Sequence, residues 1–403
     1  MKRRVLDLAA ARHVLRRLCF GAAVGEAEAL VGRDAREVVH ELVESATSAP
    51  TSDEIRLLLP ANDIGLVQGW WIDAMIGAPA QRLRERFTLT WHDHFATSHA
   101  KVQDVHLAFD QNQCLRERGL GDFRELLHAL VVDPAMLVWL DGVENKKGHP
   151  NENLARELME LFALGIGNYD ERDVEEAARG LSGWSVRERR ARFSQSRFDD
   201  GEKQVLGVRG RLGTREVTDA VLASAAAPRW IARRLWNTLH ASAPTASELD
   251  GAAARLVACE WNVGRFVVEL ASDERFLCAA EHATRLSSPV EFVVRAELEV
   301  GARLAPVDAA RRAAQMGQAL FLPPSVKGWD GGRAWFTSTA WIARQRFAAA
   351  LAETTRGVDF GGLFERTLAP RAPSWRREIE DLAREDARAA LAALVASPEY
   401  QLQ

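Results

Sequence analysis

Along most of the 403 residues, apolar positions recur at three- and four-residue spacing, the pattern of helices that bury one face. This spacing predicts helices over 7–18, 35–46, 64–76, 80–96, 104–118, 122–131, 217–225, 228–240, 247–258, 263–271, 289–300, 307–320, 337–352 and 376–396. The exception is 185–213, where Phe193, Phe198 and Val205 alternate with polar residues around Asp200-Gly201, a hairpin-turn dipeptide. The expected fold class is mainly α, a multi-helix orthogonal bundle with one small inserted β-hairpin. A chain this long exceeds what a single hydrophobic core usually serves. The expected division is a region 1–213 that contains the hairpin and a second helical region 214–403 packed on it. Residues 355–375, rich in Gly, Pro and Arg, read as a surface loop before the last helix.

The densest charged constellation is 150–184, PNENLARELMELFALGIGNYDERDVEEAARGLSGW. At helical spacing Asn153, Arg156, Glu157 and Glu160 share one face, and Leu154, Leu158, Leu161 and Leu164 line another. Asn151 suits an N-cap and Gly165 a C-terminal stop. A second helix follows, with Asp170 as cap, Asp173 in the capping-box position and an apolar stripe of Val174, Ala177, Ala178 and Leu181. Two short helices joined by a Gly-Asn turn would bring Glu157 and Glu160 near Glu176 and Arg179.

The same stretch carries a resemblance. NENLARELMELFALG followed by D-V-x-E-A-A-R-G-L-S-G-W closely resembles the signature of the bacterial family called domain of unknown function 1800. HVLRRLCFGA at 13–22, FTLTWHDHFATS at 87–98, DPAMLVWLDGVENKKGHP at 133–150 and MGQALFLPPSVKGWDGGRAWFTSTAWIARQRF at 316–347 agree with it. The resemblance implies no defined activity. It implies bacterial relatives, often exported, and often encoded beside a sulfatase-like partner that carries an export signal. Where the family pattern places a histidine before a D-G-x-K turn, this chain has Phe198.

A second chemical element is the helix carrying WHDHF. Counted at about 100° per residue, Phe87, Trp91 and His94 fall on the face of Leu83, and His92 points to nearly the opposite side. His94 is thus the inward histidine, and both of its ring nitrogens need partners. Three readings stay open for the charged groups. Arg156 with Glu160, and Glu157 with Arg179, would form a neutralising scaffold. His94, Glu157 and Glu160 would ligate a divalent metal such as iron, zinc or manganese. His94, Glu157 and Glu160 would serve acid–base chemistry, with Arg156 or Arg179 holding an anionic substrate. The helix lacks the Glu-x-x-His spacing of ferritin-like centres, which weakens the metal reading.

Two loops are candidate ligand walls. DGVENKKGHP at 141–150 offers Asp141, Asn145 and Lys147 on a helical scaffold, beside Asn153 and Glu176, and otherwise reads as a surface turn. PPSVKGWDGGRAW at 323–335 has two prolines, three glycines and two tryptophans, so backbone N–H groups and aromatic faces are available. Trp329 and Trp335 could wall a pocket with Lys327 and Arg333 as anion contacts, or plug an interface between helical regions. The basic run Arg187 to Arg192 reads as a solvated turn.

Charge and composition narrow the function classes. A net charge of −4 from 52 basic and 56 acidic residues argues against a general nucleic-acid binder. Cys19, Cys114, Cys259 and Cys278 form no CxxC pair and read as buried thiols. The basic N-terminus is interrupted by Asp7, Arg12 and Arg16-Arg17, so it lacks a signal-peptide core. No run of about 18 apolar residues occurs, so no membrane span is expected. The plain expectation is cytoplasmic, with export in company with a partner as the alternative. H-E-x-x-H, G-x-S-x-G, Walker, G-x-G-x-x-G and C-x-x-C-H signatures are absent. The expected function is an enzyme with a His/Glu/Arg site between helices, with or without metal. Its alternative is a non-catalytic binding or chaperone-like partner of a sulfatase-like protein.

Overall fold

The computed structural model describes residues 4–48, 54–355, 357–367 and 375–403. It is mainly α, and helices form where the spacing places them because polar caps and apolar stripes agree. Asp7, Asp63, Asp104, Asp122 and Asp133 each accept a hydrogen bond from a backbone N–H in the first turn that follows, which satisfies donors that the helix itself leaves free.

The element that positions everything else is the helix Pro79–His94, whose residues from Arg82 to His92 are all buried. Leu83, Phe87 and Trp91 enter one core with the helices Leu8–Cys19, Ala35–Ser48, Phe123–Val131 and Ala226–Leu239. On its other side Leu89 joins a second core with Ile64–Ala74, Pro289–Val300, Ser338–Thr354 and Ala387–Ala396. A helix buried all round must pair its charges. Glu85 accepts from Arg116 Nε and Nη2, both at 2.8 Å, and from Trp71 Nε1 at 2.8 Å. Arg82 donates to the Cys19 and Gly77 carbonyls at 3.1 and 2.7 Å. The first core takes Val205 and Leu212 together with Val217 and Val221, so its packing runs across position 213.

Four details differ from the sequence expectation. The insert holds two antiparallel hairpins, Trp184–Arg187 with Arg190–Phe193 and Lys203–Val205 with Val208–Gly210. Their turns are Glu188-Arg189 and Leu206-Gly207, and Asp200-Gly201 lies between the hairpins instead of at a turn. The last helix is broken into Arg376–Glu385 and Ala387–Ala396 because Asp386 takes an extended conformation and caps the second piece. Phe360–Thr367 is a helix with Leu363 and Phe364 buried, within what reads as loop; residues 356 and 368–374 of that stretch lie outside the described residues. Cys19 is buried but Cys114, Cys259 and Cys278 are only half-buried, and all four are free. Among the described residues no helix is long and apolar enough to cross a membrane.

Candidate functional site

The charged stretch at 150–184 folds as a short α-helix, Asn153–Glu157, that continues as a π-helix over Leu158–Ala163. The wider turn is visible in its bonds: Leu164 N–H donates to Met159 O at 2.9 Å, five residues back. Asn151 accepts from Asn153 N–H at 3.1 Å, and Asp170 and Asp173 form the expected capping box. Gly165 ends the helix at φ +83, where an added Cβ would overlap the Trp230 ring.

The expected ion pairs of that face are replaced by others. Arg156 does not reach Glu160; it donates to Glu152 at 2.9 Å and to both oxygens of Glu171 at 2.9 and 2.7 Å. Arg179 does not meet Glu157; it binds Glu176 at 2.8 Å and Asp199 at 2.9 and 3.2 Å. Glu160 accepts from the Tyr169 hydroxyl at 3.1 Å. Glu157 is left half-buried with no hydrogen-bond or ion-pair partner among the described residues, and burial, followed by the Glu160 charge, raises its carboxyl above the usual range.

His94 is separated from those carboxylates by its own hydrogen bond. Its Nε2 donates at 2.9 Å to the carbonyl of Phe162 near the π-helix C-terminus. Trp230 Nε1 takes the Leu161 carbonyl at 2.8 Å, and Asn168 takes that of Leu164 at 3.0 Å. Three side chains thus cap the carbonyls that the helix end leaves open. Burial, then Arg234, lowers the His94 imidazole to about 3, so it is neutral. His92, expected outward, is buried in the second core, where its Nε2 accepts from Phe321 N–H at 3.0 Å and burial lowers it to about 4. The correction has a simple cause: a helix with a core on each side has no outward face. His94, Glu157 and Glu160 do not form a metal-ligand set, and among the described residues no three His, Cys, Asp or Glu side chains are placed to hold a metal.

The 141–150 loop is tied down by its polar residues. Asp141 accepts from Lys101 Nζ at 2.7 Å and from Asn153 Nδ2 at 2.9 Å. Asn145 is fully buried; its amide donates to Ala178 O at 2.7 Å and accepts from Asn151 N–H at 3.1 Å. Lys147 reaches Asp200 at 2.5 Å, while Glu176 accepts from Gln204 N–H at 3.0 Å. Phe198 lies under the Lys203 ammonium at 4.9 Å, and that buried lysine donates to the Asp199 and Gly201 carbonyls at 2.5 and 3.0 Å. These contacts join the second hairpin and the 141–150 loop to the Glu171–Gly180 helix.

The concave site lies on the other side of the central helix. A cleft of about 400 Å³ opens between Pro79–His94, Ala226–Leu239, Pro289–Val300 and the tryptophan–glycine loop. Trp329 and Trp335 line it, but Lys327 and Arg333 are not among its lining residues; Lys327 sits at the surface, 3.4 Å from Asp330. The loop is anchored through Asp93, which accepts from Trp329 N–H at 2.9 Å and from Arg234 at 2.6 Å. The cations are Arg86, Arg234 and Arg285. Arg86 and Arg285 share one carboxylate, Glu291, the second at 2.9 Å. Burial pushes Arg86 down to about 9, and Arg17 and Arg234 add to the shift. Arg285 is lowered by burial, then by Arg86 and Arg17. His240 also lines the cleft, stacked on Trp236 at 4.0 Å with neither ring nitrogen hydrogen-bonded. Its Nδ1 is 3.8 Å from Glu281, yet burial lowers the imidazole to about 4, so this is a neutral contact and no ion pair.

Sequence reasoning missed Arg86, Arg234, Arg285, Glu291 and His240. A local signal was available for two of them, Arg86 and Glu291. R-L-R-E-R at 82–86 sets arginines among residues predicted to be buried, and S-P-V-E at 288–291 is a capping box whose glutamate would be drawn towards any nearby cation. Nothing local points to Arg234, Arg285 or His240, which converge only through packing.

A family model described as "Protein of unknown function (DUF1800)" matches residues 13–402. No curated protein and no solved structure matches the chain.

Proposed function

The chain belongs to the DUF1800 family of proteins of unknown function, and we propose that it binds a small polar anion, a carboxylate, phosphate ester or sulfate ester, in the arginine cleft. The observation that carries this reading is the charge count at Glu291: two guanidinium groups against one carboxylate leave one positive charge in excess, while Arg234 and Asp93 cancel and Asp330, also in the lining, is paired with Lys327. An uncompensated cation in a desolvated wall is costly, and an anion offering bidentate acceptors relieves that cost. Trp329 and Trp335 supply apolar faces for the body of the ligand. His240, neutral and buried in the wall of the same cleft, is our candidate to take a proton from a bound substrate. The enzyme reading therefore moves from His94, Glu157 and Glu160 to this cleft. Concavity favours it over a role solely as partner of a sulfatase-like protein, which would call for an apolar exposed face.

Calorimetric titration with citrate, phosphate and sulfate tests the proposal. Wild-type protein is expected to bind at least one of them, and Arg285→Ala, which removes the half-buried member of the pair, is expected to weaken that binding by tenfold or more. Equal affinity in the variant would refute the cleft as the anion site. His240→Gln is expected to keep binding and lose turnover once a substrate class is found.

A further inference from the structure

A second basic feature lies outside the cleft, on the first hairpin. Its register pairs Trp184 with Phe193, Ser185 with Arg192, Val186 with Ala191 and Arg187 with Arg190. Cross-strand partners share a face and successive residues alternate. Trp184, Val186 and Ala191 pack on the first core, and Trp184 Nε1 is held by Thr214 Oγ1 at 2.9 Å. The opposite face therefore consists of Ser185, Arg187, Arg190 and Arg192, with all three arginines exposed.

Among the described residues none of these three guanidinium groups has a hydrogen bond or ion pair, although most arginines of the chain do. Arg187 stands directly opposite Arg190, and like charges in that position destabilise a ribbon. The turn adds strain, because Glu188 and Arg189 both take left-handed conformations at φ +52 and +60, where glycine or asparagine is usual. Arg189 nonetheless fastens the tip to Asp104 at 2.7 Å, so the ribbon is held in place. A hollow of about 370 Å³ beside it is lined by Ser185, Arg187, Arg192, Phe193, Ser194 and Arg197. Local stability does not account for three unpaired cations on one face of a fastened ribbon.

We propose that this face docks an extended acidic segment of a partner polypeptide, with carboxylates at alternate positions. Arg190 and Arg192 are two residues apart on one strand, the same interval at which an extended chain places successive side chains on one face, so the charges match in register. Among the described residues the Arg190–Phe193 strand has no ladder partner on its outer edge, which leaves main-chain groups for such a segment. A nucleic acid fits less well, since its phosphate backbone calls for an extended basic surface, against three arginines here on a chain of net charge −4.

Fluorescence anisotropy of full-length protein with a labelled decapeptide of alternating Glu and Thr tests this, beside a Lys–Thr decapeptide and a ten-residue oligothymidylate. The Glu–Thr peptide is expected to bind, more weakly as salt rises, and Arg187→Gln/Arg190→Gln/Arg192→Gln is expected to lose tenfold or more with an unchanged or higher melting temperature. Arg190→Glu, which creates an ion pair with Arg187, keeps the ribbon folded and is expected to lose binding too. No binding of the Glu–Thr peptide, equal binding by both variants, or tighter binding of the oligothymidylate would each overturn the proposal. Retained citrate or phosphate binding by these variants shows that this face and the cleft are independent.

Discussion

Gly328→Ala probes how the tryptophan–glycine loop is held over the cleft. Gly328 has φ +81, and a Cβ built there would meet Asp93 Oδ1 and lie 2.5 Å from the Asp93 carbonyl oxygen. Two effects add: a left-handed conformation costs a non-glycine residue about 1–2 kcal/mol, and forced overlap with backbone costs about 1–3 kcal/mol. The expected destabilisation is about 2–5 kcal/mol. Gly25→Ala carries the first effect alone, because Gly25 has a matching φ of +84 and nothing within 4 Å of the added carbon. Urea unfolding of both variants at pH 7 should therefore separate them by about 1–3 kcal/mol. Because Asp93 also holds Trp329 N–H and Arg234, Gly328→Ala should weaken anion binding and Gly25→Ala should not. Equal destabilisation by the two substitutions would show that the approach of Gly328 to Asp93 does not fix the loop.

His94→Phe leaves the buried Phe162 carbonyl without its donor and should cost about 1–3 kcal/mol at pH 7. The His94 imidazole titrates at about 3 when folded and near 6.5 when unfolded, so the unfolded chain takes the proton first. The stability it confers is complete above pH 6.5 and is lost as pH falls, by about 2 kcal/mol at pH 5. The gap between wild type and His94→Phe should accordingly narrow on acidification. Asp133 and Glu297, both raised to about 7 by burial, act in the opposite sense but equally in both proteins, so a gap that stays constant with pH would count against the assignment. Glu157→Gln removes a carboxylate whose raised pKa comes from burial and Glu160; that charge disfavours the folded state as pH rises through its titration. The variant should melt no lower than wild type at pH 7, and a loss of activity with unchanged melting would return Glu157 to the chemistry.

Helix positions and caps were legible because they depend on near neighbours. Asp170 with Asp173, Asn151 and Gly165 act where their spacing places them. The pairing of the charged face was not legible. Arg156 could reach Glu160 on a regular helix, but the π-turn and the approach of Glu171 give it better partners. His92 defeated the one-face rule because its helix has a core on either side.

The sequence by itself determined a mainly helical chain of this family, the insert at its middle and the tryptophan–glycine loop, since periodicity, turn residues and motifs are local properties. Only tertiary structure decided which charges meet. Arg86, Arg234, His240, Arg285 and Glu291 come from three separate stretches of the chain, and only Arg86 and Glu291 carry a local signal. Their shared cleft, and the excess positive charge within it, arise from helix packing, where distances between segments and loss of water set electrostatic energies that spacing along the chain does not encode.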